Sequence, residues 1–182
     1  MTARATALVN YVLYQAGWFA AVGGAALGHG TVGALIAAAL IAGHMTLARD
    51  RLEEARLLVI TTLTGLAVEA WQLHAGTYVT LGGAPAGQVP PLWLLALWAQ
   101  FATTFRYSLR RVLARPAASI AFGALGGPIA FIAGARLGAV TLTTPLWPGL
   151  LRLAVGWMLA LALFAWATRR ARDREPSRYG WR

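Results

Sequence analysis

Apolar residues in this chain fall into long runs that are separated by short charged or glycine-rich segments. Each run is about 20 residues long, which at about 1.5 Å per helical residue is enough to cross a hydrocarbon core of about 30 Å. We therefore predict an all-α fold, a polytopic membrane helix bundle of six transmembrane helices in residues 1–168, followed by a basic cytoplasmic tail in residues 169–182. The predicted spans are residues 7–28, 31–48, 57–78, 91–109, 117–135 and 150–168.

The segments between the runs differ in character. Residues 49–56 carry alternating charges and are predicted to form a short charged loop, whereas residues 80–91 are rich in glycine and proline and are predicted to form an uncharged loop on the opposite side. Residues 136–148 are compatible either with a helix end and a loop or with a half-buried segment. The sequence Gly126-Gly127-Pro128 predicts a kink in the fifth span, because proline removes a helical hydrogen bond.

The positions of the basic residues predict the orientation in the membrane. All 16 basic residues are arginine, and the formal net charge is +10. Positive residues collect on the cytoplasmic side of membrane proteins, and with the N-terminus inside only Arg136 and Arg152 fall outside. We therefore predict an N-in, C-in topology with the lipid bilayer as the partner. No nucleic-acid partner is expected, since the arginines flank the apolar runs instead of forming one basic surface.

One ionisable residue lies near the middle of an apolar run. Glu69 stands in the third span, and a carboxyl at that depth costs several kcal/mol unless it finds a partner. It shares one small and polar helical face with its neighbours at three- and four-residue spacing, while the leucines of this span lie opposite. The other acids appear in arginine-rich segments that are typical of water-exposed loops. The polar face consists of Thr62, Gly65, Glu69, Gln72 and Gly76.

Further polar residues lie at similar depth in other spans. Gln15 and Gln100 are placed to form a polar layer with Glu69, either as a ligand site or as hydrogen bonds that join the helices. Arg106 lies near the inner interface, where long side chains snorkel to water, and it reaches Glu69 only if its helix is tilted. Most tryptophans, Trp98 among them, are assigned to interfacial belts. The candidate ligand-binding residues are Glu69, Gln72, Gln15, Gln100, Trp18 and Arg106.

Three stretches together resemble a family of small bacterial inner-membrane proteins described only as a domain of unknown function. They are YVLYQAGWFAAVGGAA, PPLWLLALWAQFATTFRYSL and GALGGPIAFIAGARLGAV, and the resemblance covers nearly the whole chain. It implies a multi-pass protein of the bacterial inner membrane with no established activity, and an acidic residue, more often aspartate, at the position of Glu69. The family often has asparagine where this chain has Arg106, which leaves a shared role for Arg106 open. Its members lie near lipid-modifying enzymes, which suggests such an enzyme as a partner.

Two classes of function remain. Cysteine is absent, the three histidines are dispersed, and no catalytic triad or nucleotide-binding motif occurs, so we expect no metal and no cofactor. The first class is a protein that binds or transports a small or lipid-like molecule at the polar seam around Glu69. The second is a non-catalytic membrane subunit or scaffold for a lipid-modifying enzyme, and an enzyme in its own right is the less favoured alternative. An open cavity at Glu69 would favour the first class, and tight packing there would favour the second.

Overall fold

The computed structural model describes residues 2–80 and 89–174, and this part of the chain is all-α apart from one small sheet. The helices are α1 (Ala3–Ala26), α2 (Gly30–Leu47), α3 (Arg51–His74), α4 (Leu92–Ala102), α5 (Arg110–Leu113), α6 (Pro116–Arg136) and α7 (Leu146–Arg174). Two three-residue strands, β1 (Tyr78–Thr80) and β2 (Val140–Leu142), follow α3 and α6. The predicted all-α fold class is confirmed.

Within residues 2–80 and 89–174, four helices are long and apolar enough to cross a membrane. They are α2, α3, α6 and the segment Leu146–Arg170 of α7. The helix α4 is also apolar but has only 11 residues. The turn between α1 and α2 contains Gly28 at φ +77°, a left-handed conformation that suits glycine because it has no side chain. This turn reverses the chain where the sequence predicts a short connection.

The helix α3 begins earlier than expected. The side chain of Asp50 accepts a 3.1 Å hydrogen bond from the Glu53 backbone N–H and so caps the helix, and Glu53 and Glu54 lie in its first turn, where acidic groups favour a helix N-terminus. The predicted charged loop at residues 49–56 is therefore wrong from Arg51 onward. This extension also brings Glu54 into the protein interior, where it is 2% exposed.

The predicted fourth span is broken. Its helix ends at Ala102, and residues 103–109 form buried turns instead of continuing to residue 109. Asn10 of α1 accounts for the break, because its Nδ2 donates to the carbonyl of Thr103 at 3.0 Å while its Oδ1 accepts from the backbone N–H of Ser108 at 3.3 Å and from its hydroxyl at 2.7 Å. A buried side chain thus satisfies backbone groups that the helix releases.

The helices α6 and α7 pack closely through small residues. A Cβ added at Gly123 would meet the Trp157 carbonyl oxygen at 2.5 Å, and one at Gly127 would collide with the Trp157 ring. The expectation that small residues of this span contact a neighbouring helix is therefore confirmed at these two positions. Pro128 lies inside a continuous helix, and the kink at this point stays a prediction.

The small sheet joins the segments that follow α3 and α6. The strands β1 and β2 are antiparallel, with Tyr78 opposite Leu142. The half-buried alternative for residues 136–148 is thus the closer one, since Val140 is buried in the core. The predicted loop at residues 80–91 lies mostly outside the described residues. The helix α7 continues through Arg174, so the first part of the predicted tail at residues 169–182 is helical, and its remainder lies outside the described residues.

Candidate functional site

Glu69 is fully buried at the centre of a hydrogen-bonded group of three side chains. The Tyr78 hydroxyl donates to Glu69 Oε2 at 2.6 Å, and the Trp98 indole N–H donates to Oε1 at 2.9 Å. Both donors are neutral, and no ion pair of Glu69 occurs among the described residues. The expectation that this carboxyl points into the bundle and bonds to another helix is confirmed by the contact with α4.

Trp98 reaches Glu69 because a glycine makes room for it. The indole ring lies against the backbone of Gly65, one turn before Glu69 on α3, and a Cβ there would collide with the ring. The ring also packs against Trp157, with centroids 4.5 Å apart and planes tilted by 32°. Trp98 is 2% exposed, so its assignment to an interfacial belt is wrong. Gly65 leaves the space that the ring occupies in the core.

Tyr78 reaches Glu69 because of the sheet. Pairing of β1 with β2 fixes Tyr78 opposite Leu142, and the phenol ring packs against Phe131 of α6 with centroids 4.7 Å apart. Tyr78 is 1% exposed. Neither Tyr78 nor Trp98 was among the candidate residues. The one sequence feature that could have identified Tyr78 as a partner of Glu69 is its position, since it is an aromatic residue with a hydroxyl group within a few residues of the end of α3.

Gln72 belongs to a second chain of hydrogen bonds beside Glu69. Its Oε1 accepts from the Thr77 hydroxyl at 2.7 Å, and the same hydroxyl oxygen accepts from Arg152 Nε at 2.9 Å. Gln72 is fully buried, and its Nε2 has no hydrogen-bond partner among the described residues. These bonds hold the turn after α3 against α7, so in the structure Gln72 contributes to packing between that turn and α7.

The three residues expected to form one polar layer are not joined. Gln100 Nε2 donates to the Leu13 carbonyl at 3.3 Å, and its amide fills the space above Gly17, which has no side chain. Gln15 is only half-buried. No hydrogen bond within residues 2–80 and 89–170 connects Glu69 with either glutamine, because Trp98 and Tyr78 occupy both of its oxygens.

Arg106 lies in a separate buried ionic cluster. Its Nη1 is 3.3 Å from Glu54 Oε1 and 3.8 Å from Asp50 Oδ2, and the other oxygen of Glu54 is 3.1 Å from His44 Nε2. The Tyr107 ring packs edge-on against His44. The expected snorkelling of Arg106 and the expected exposure of Glu54 are both wrong. At about 1.5 Å per residue, this cluster is about 22 Å from Glu69 along α3, so the two acids act independently.

A groove opens sideways between α1 and α6. This lateral groove has a volume of about 420 Å³, and its walls include Gln15, Trp18, Phe19 and Ile129. Phe19 is 57% exposed and Ile129 is 63% exposed, so the groove reaches the outer surface of the bundle. One end of the groove, named here its inner edge, is formed by Thr104, Ser108 and Leu109 of the broken span and Tyr11 of α1.

A smaller inner cavity lies behind the lateral groove. Its volume is about 60 Å³, and Trp18, Trp157 and Phe101 line both spaces. Trp98 lines the inner cavity, whereas Glu69 lines neither space. Of the six candidate residues, Gln15 and Trp18 therefore lie at the groove. Glu69 is connected to the inner cavity through the indole ring of Trp98 and through Tyr78, whose ring packs on the lining residue Phe131.

The described part of the chain is helical apart from one small sheet, and four of its helices are long and apolar enough to cross a membrane. A buried acid bonds to Trp98, and a groove opens to the side between α1 and α6. A family model of proteins of unknown function, DUF2878, matches residues 7–163, and the chain belongs to this family. The resemblance seen in the sequence is thus confirmed. No curated protein and no solved structure shows significant similarity to the chain.

Proposed function

We propose that this chain is a multi-pass membrane protein that binds a lipid-like molecule in the lateral groove between α1 and α6. The groove is the single observation that supports this function. Its volume of about 420 Å³ lies in the range of about 300–1,000 Å³ that is typical of ligand pockets. Its exposed rim residues, Phe19, Phe122 and Ile129, would face acyl chains in a bilayer, so a lipid can enter sideways without crossing water.

The aromatic wall of the site supports binding over transport. Trp18, Phe101 and Trp157 separate the lateral groove from the inner cavity, whose volume of about 60 Å³ is far below that of a typical ligand pocket. In this proposal Glu69 is a positioning residue. It holds the indole of Trp98, which stacks on Trp157 and so supports the wall against which the ligand packs.

The proposed topology follows from the arginines and from the helix lengths. We propose six membrane crossings in the bacterial inner membrane, with both termini in the cytoplasm. The helix α1 has 24 residues and is about 36 Å long at about 1.5 Å per residue, which is enough for a crossing. Residues 91–109 would cross as a broken span, and a break at membrane depth is tolerated where its backbone is buried in protein.

A second candidate function is that of a non-catalytic membrane subunit or scaffold for a lipid-modifying enzyme. The packing around Glu69 favours it, because both carboxylate oxygens are occupied and neither space described above reaches them. In this alternative the polar groups join the helices of a rigid subunit. A stoichiometric enzyme partner that co-purifies from native membranes, in place of bound lipid, is the result that would support it.

Two glycine substitutions test the lipid-binding function. Gly126 lines the groove, and a Cβ there makes only ordinary contact with the Phe122 ring at 3.8 Å, so Gly126→Leu is the substitution chosen to fill the groove. Gly43 of α2 also has open space and lies away from the groove, so Gly43→Leu is the matched control. Bound lipid is measured by native mass spectrometry of the purified full-length protein. We expect loss of lipid from Gly126→Leu alone, and equal lipid binding by both variants would overturn the proposal.

A further inference from the structure

We propose that the lateral groove binds an anionic phospholipid of the surrounding bilayer, with an acyl chain in the groove and the phosphate at three arginines beside its inner edge. This inference rests on the lipid-binding function proposed above and specifies its ligand. The three arginines, named here the arginine rim, are Arg4, Arg111 and Arg115.

The length of the groove matches one leaflet of a bilayer. On α6 its lining runs from Phe122 to Ala133, which is about 16 Å at about 1.5 Å per residue. On α1 it runs from Tyr11 to Phe19, about 12 Å. Half of a hydrocarbon core of about 30 Å is about 15 Å. The groove is therefore about as long as one acyl chain.

The polar groups of the groove collect at its inner edge. Thr104 and Ser108 line it there, at the break in the fourth span. Their hydroxyl protons are already donated, from Thr104 to the Phe101 carbonyl at 2.6 Å and from Ser108 to Asn10 Oδ1 at 2.7 Å. Each oxygen retains acceptor capacity, so this edge can accept a hydrogen bond from a hydroxyl group of a lipid headgroup.

The three arginines of the rim lie in three separate elements, each within seven residues of a residue that lines the groove. Arg111 follows the groove residue Leu109 by two positions, and Arg115 caps α6 seven residues before Phe122. Arg4 precedes Tyr11 by seven residues on α1, which places it on the same helical face two turns nearer the N-terminus. All three are exposed, and none has an ion-pair partner within the described part of the chain.

The charge of the arginine rim selects an anionic headgroup over a zwitterionic one. Guanidinium groups form bidentate, charge-assisted hydrogen bonds with phosphate oxygens. Phosphatidylglycerol offers a phosphate without a cation, whereas phosphatidylcholine adds a quaternary ammonium that the arginines repel. The positive-inside rule also places arginines at this end of the spans, so the experiment must separate a lipid site from a general positive charge.

The test measures lipid binding by the full-length protein in detergent. Delipidated protein is titrated with phosphatidylglycerol and, separately, with phosphatidylcholine, and bound lipid is counted by native mass spectrometry. We expect the wild type to bind phosphatidylglycerol about tenfold more tightly than phosphatidylcholine, and the double variant Arg111→Gln with Arg115→Gln to abolish that difference. The control Arg51→Gln with Arg56→Gln removes the same charge at the start of α3, away from the groove, and should retain the preference.

The outcomes separate this inference from the proposed function. Equal affinity of the wild type for the two lipids, with binding still lost in Gly126→Leu, would overturn the anionic ligand and leave lipid binding standing. A loss of preference in the Arg51 and Arg56 control as large as in the arginine-rim variant would also overturn it, because general charge would then be sufficient. Absence of binding by either lipid would overturn both proposals.

Discussion

The indole N–H of Trp98 donates a 2.9 Å hydrogen bond to Glu69 Oε1, and the same ring lines the inner cavity. This one contact links the buried acid to the space behind the lateral groove. Since Glu69 touches neither space itself, its effect on a ligand must pass through the side chains that it bonds, Trp98 and Tyr78. The Tyr78 hydroxyl on the other carboxylate oxygen fixes the acid in turn.

Two substitutions of Glu69 should differ strongly in stability. In Glu69→Gln, the amide oxygen accepts from Trp98 while the amide N–H₂ donates to the Tyr78 oxygen, because a phenol hydroxyl both donates and accepts. In Glu69→Leu, the donors of Trp98 and Tyr78 remain buried without a partner, at a cost of about 1–3 kcal/mol each. Thermal unfolding in detergent should therefore place Glu69→Gln near the wild type and Glu69→Leu well below it. Equal melting temperatures for the two variants would contradict this account.

A methyl group at Gly65 should displace Trp98 from Glu69. A Cβ at this position collides with the indole ring, which is 2% exposed and also packs against Trp157. Gly126→Ala is the control, since both changes gain the same helix propensity but Gly126 has open space. We expect Gly65→Ala to be less stable than Gly126→Ala by about 1–3 kcal/mol in thermal unfolding. A Gly65→Ala variant as stable as the control would show that the ring adjusts.

The polar face of α3 was predictable from the sequence, whereas its partners were not. Helical period alone places Gly65, Glu69 and Gln72 on one face, and all three are buried. The donors to Glu69 depend on long-range packing: Trp98 belongs to α4, and Tyr78 is positioned by a sheet of two three-residue strands. Strands of that length carry no readable alternation of polar and apolar residues.

The sequence predicted one unbroken helix in the fourth span and an exposed Glu54, and both predictions were wrong. Mean hydropathy over a window does not show which polar side chains will find partners. Residues 91–109 are apolar enough for one helix. The helix nevertheless ends early, because Asn10, which is 93 positions from Thr103, bonds to the backbone groups of Thr103 and Ser108. Glu54 stands in a charged segment that is typical of a loop. Its burial depends on His44 and Arg106, which come from two other elements and contact its two carboxylate oxygens.

The proposed topology predicts the side on which each connection lies. Reporter insertions after Asp50, after Arg111 and at the C-terminus should give a cytoplasmic signal. Insertions after Gly28 and after Gly138, in the turns that follow α1 and α6, should give an external signal, as the N-in arrangement of the arginines requires. A cytoplasmic signal at Gly28 would show that α1 does not cross the membrane. A cytoplasmic signal at Gly138 would rule out the arrangement with six crossings.

Removal of Arg106 should destabilise the protein more than removal of its whole ion pair. Arg106→Met leaves Glu54 buried without its cation, and breaking one partner of a buried pair costs about 3–5 kcal/mol. The double variant Glu54→Gln with Arg106→Met removes both charges, so it should be more stable than Arg106→Met alone. Arg111→Met is the exposed control and should change stability by less than about 0.5 kcal/mol.

Unfolding in detergent separates the two possible positions of Arg106. If the guanidinium lies at the membrane surface, Arg106→Met and Arg111→Met will unfold at the same temperature, and Glu54→Gln will give no rescue. If it lies between Glu54 and Asp50, the single variant will be the least stable of the set, and the double variant will recover part of the loss. The order of these melting temperatures therefore tests the buried cluster without any assay of function.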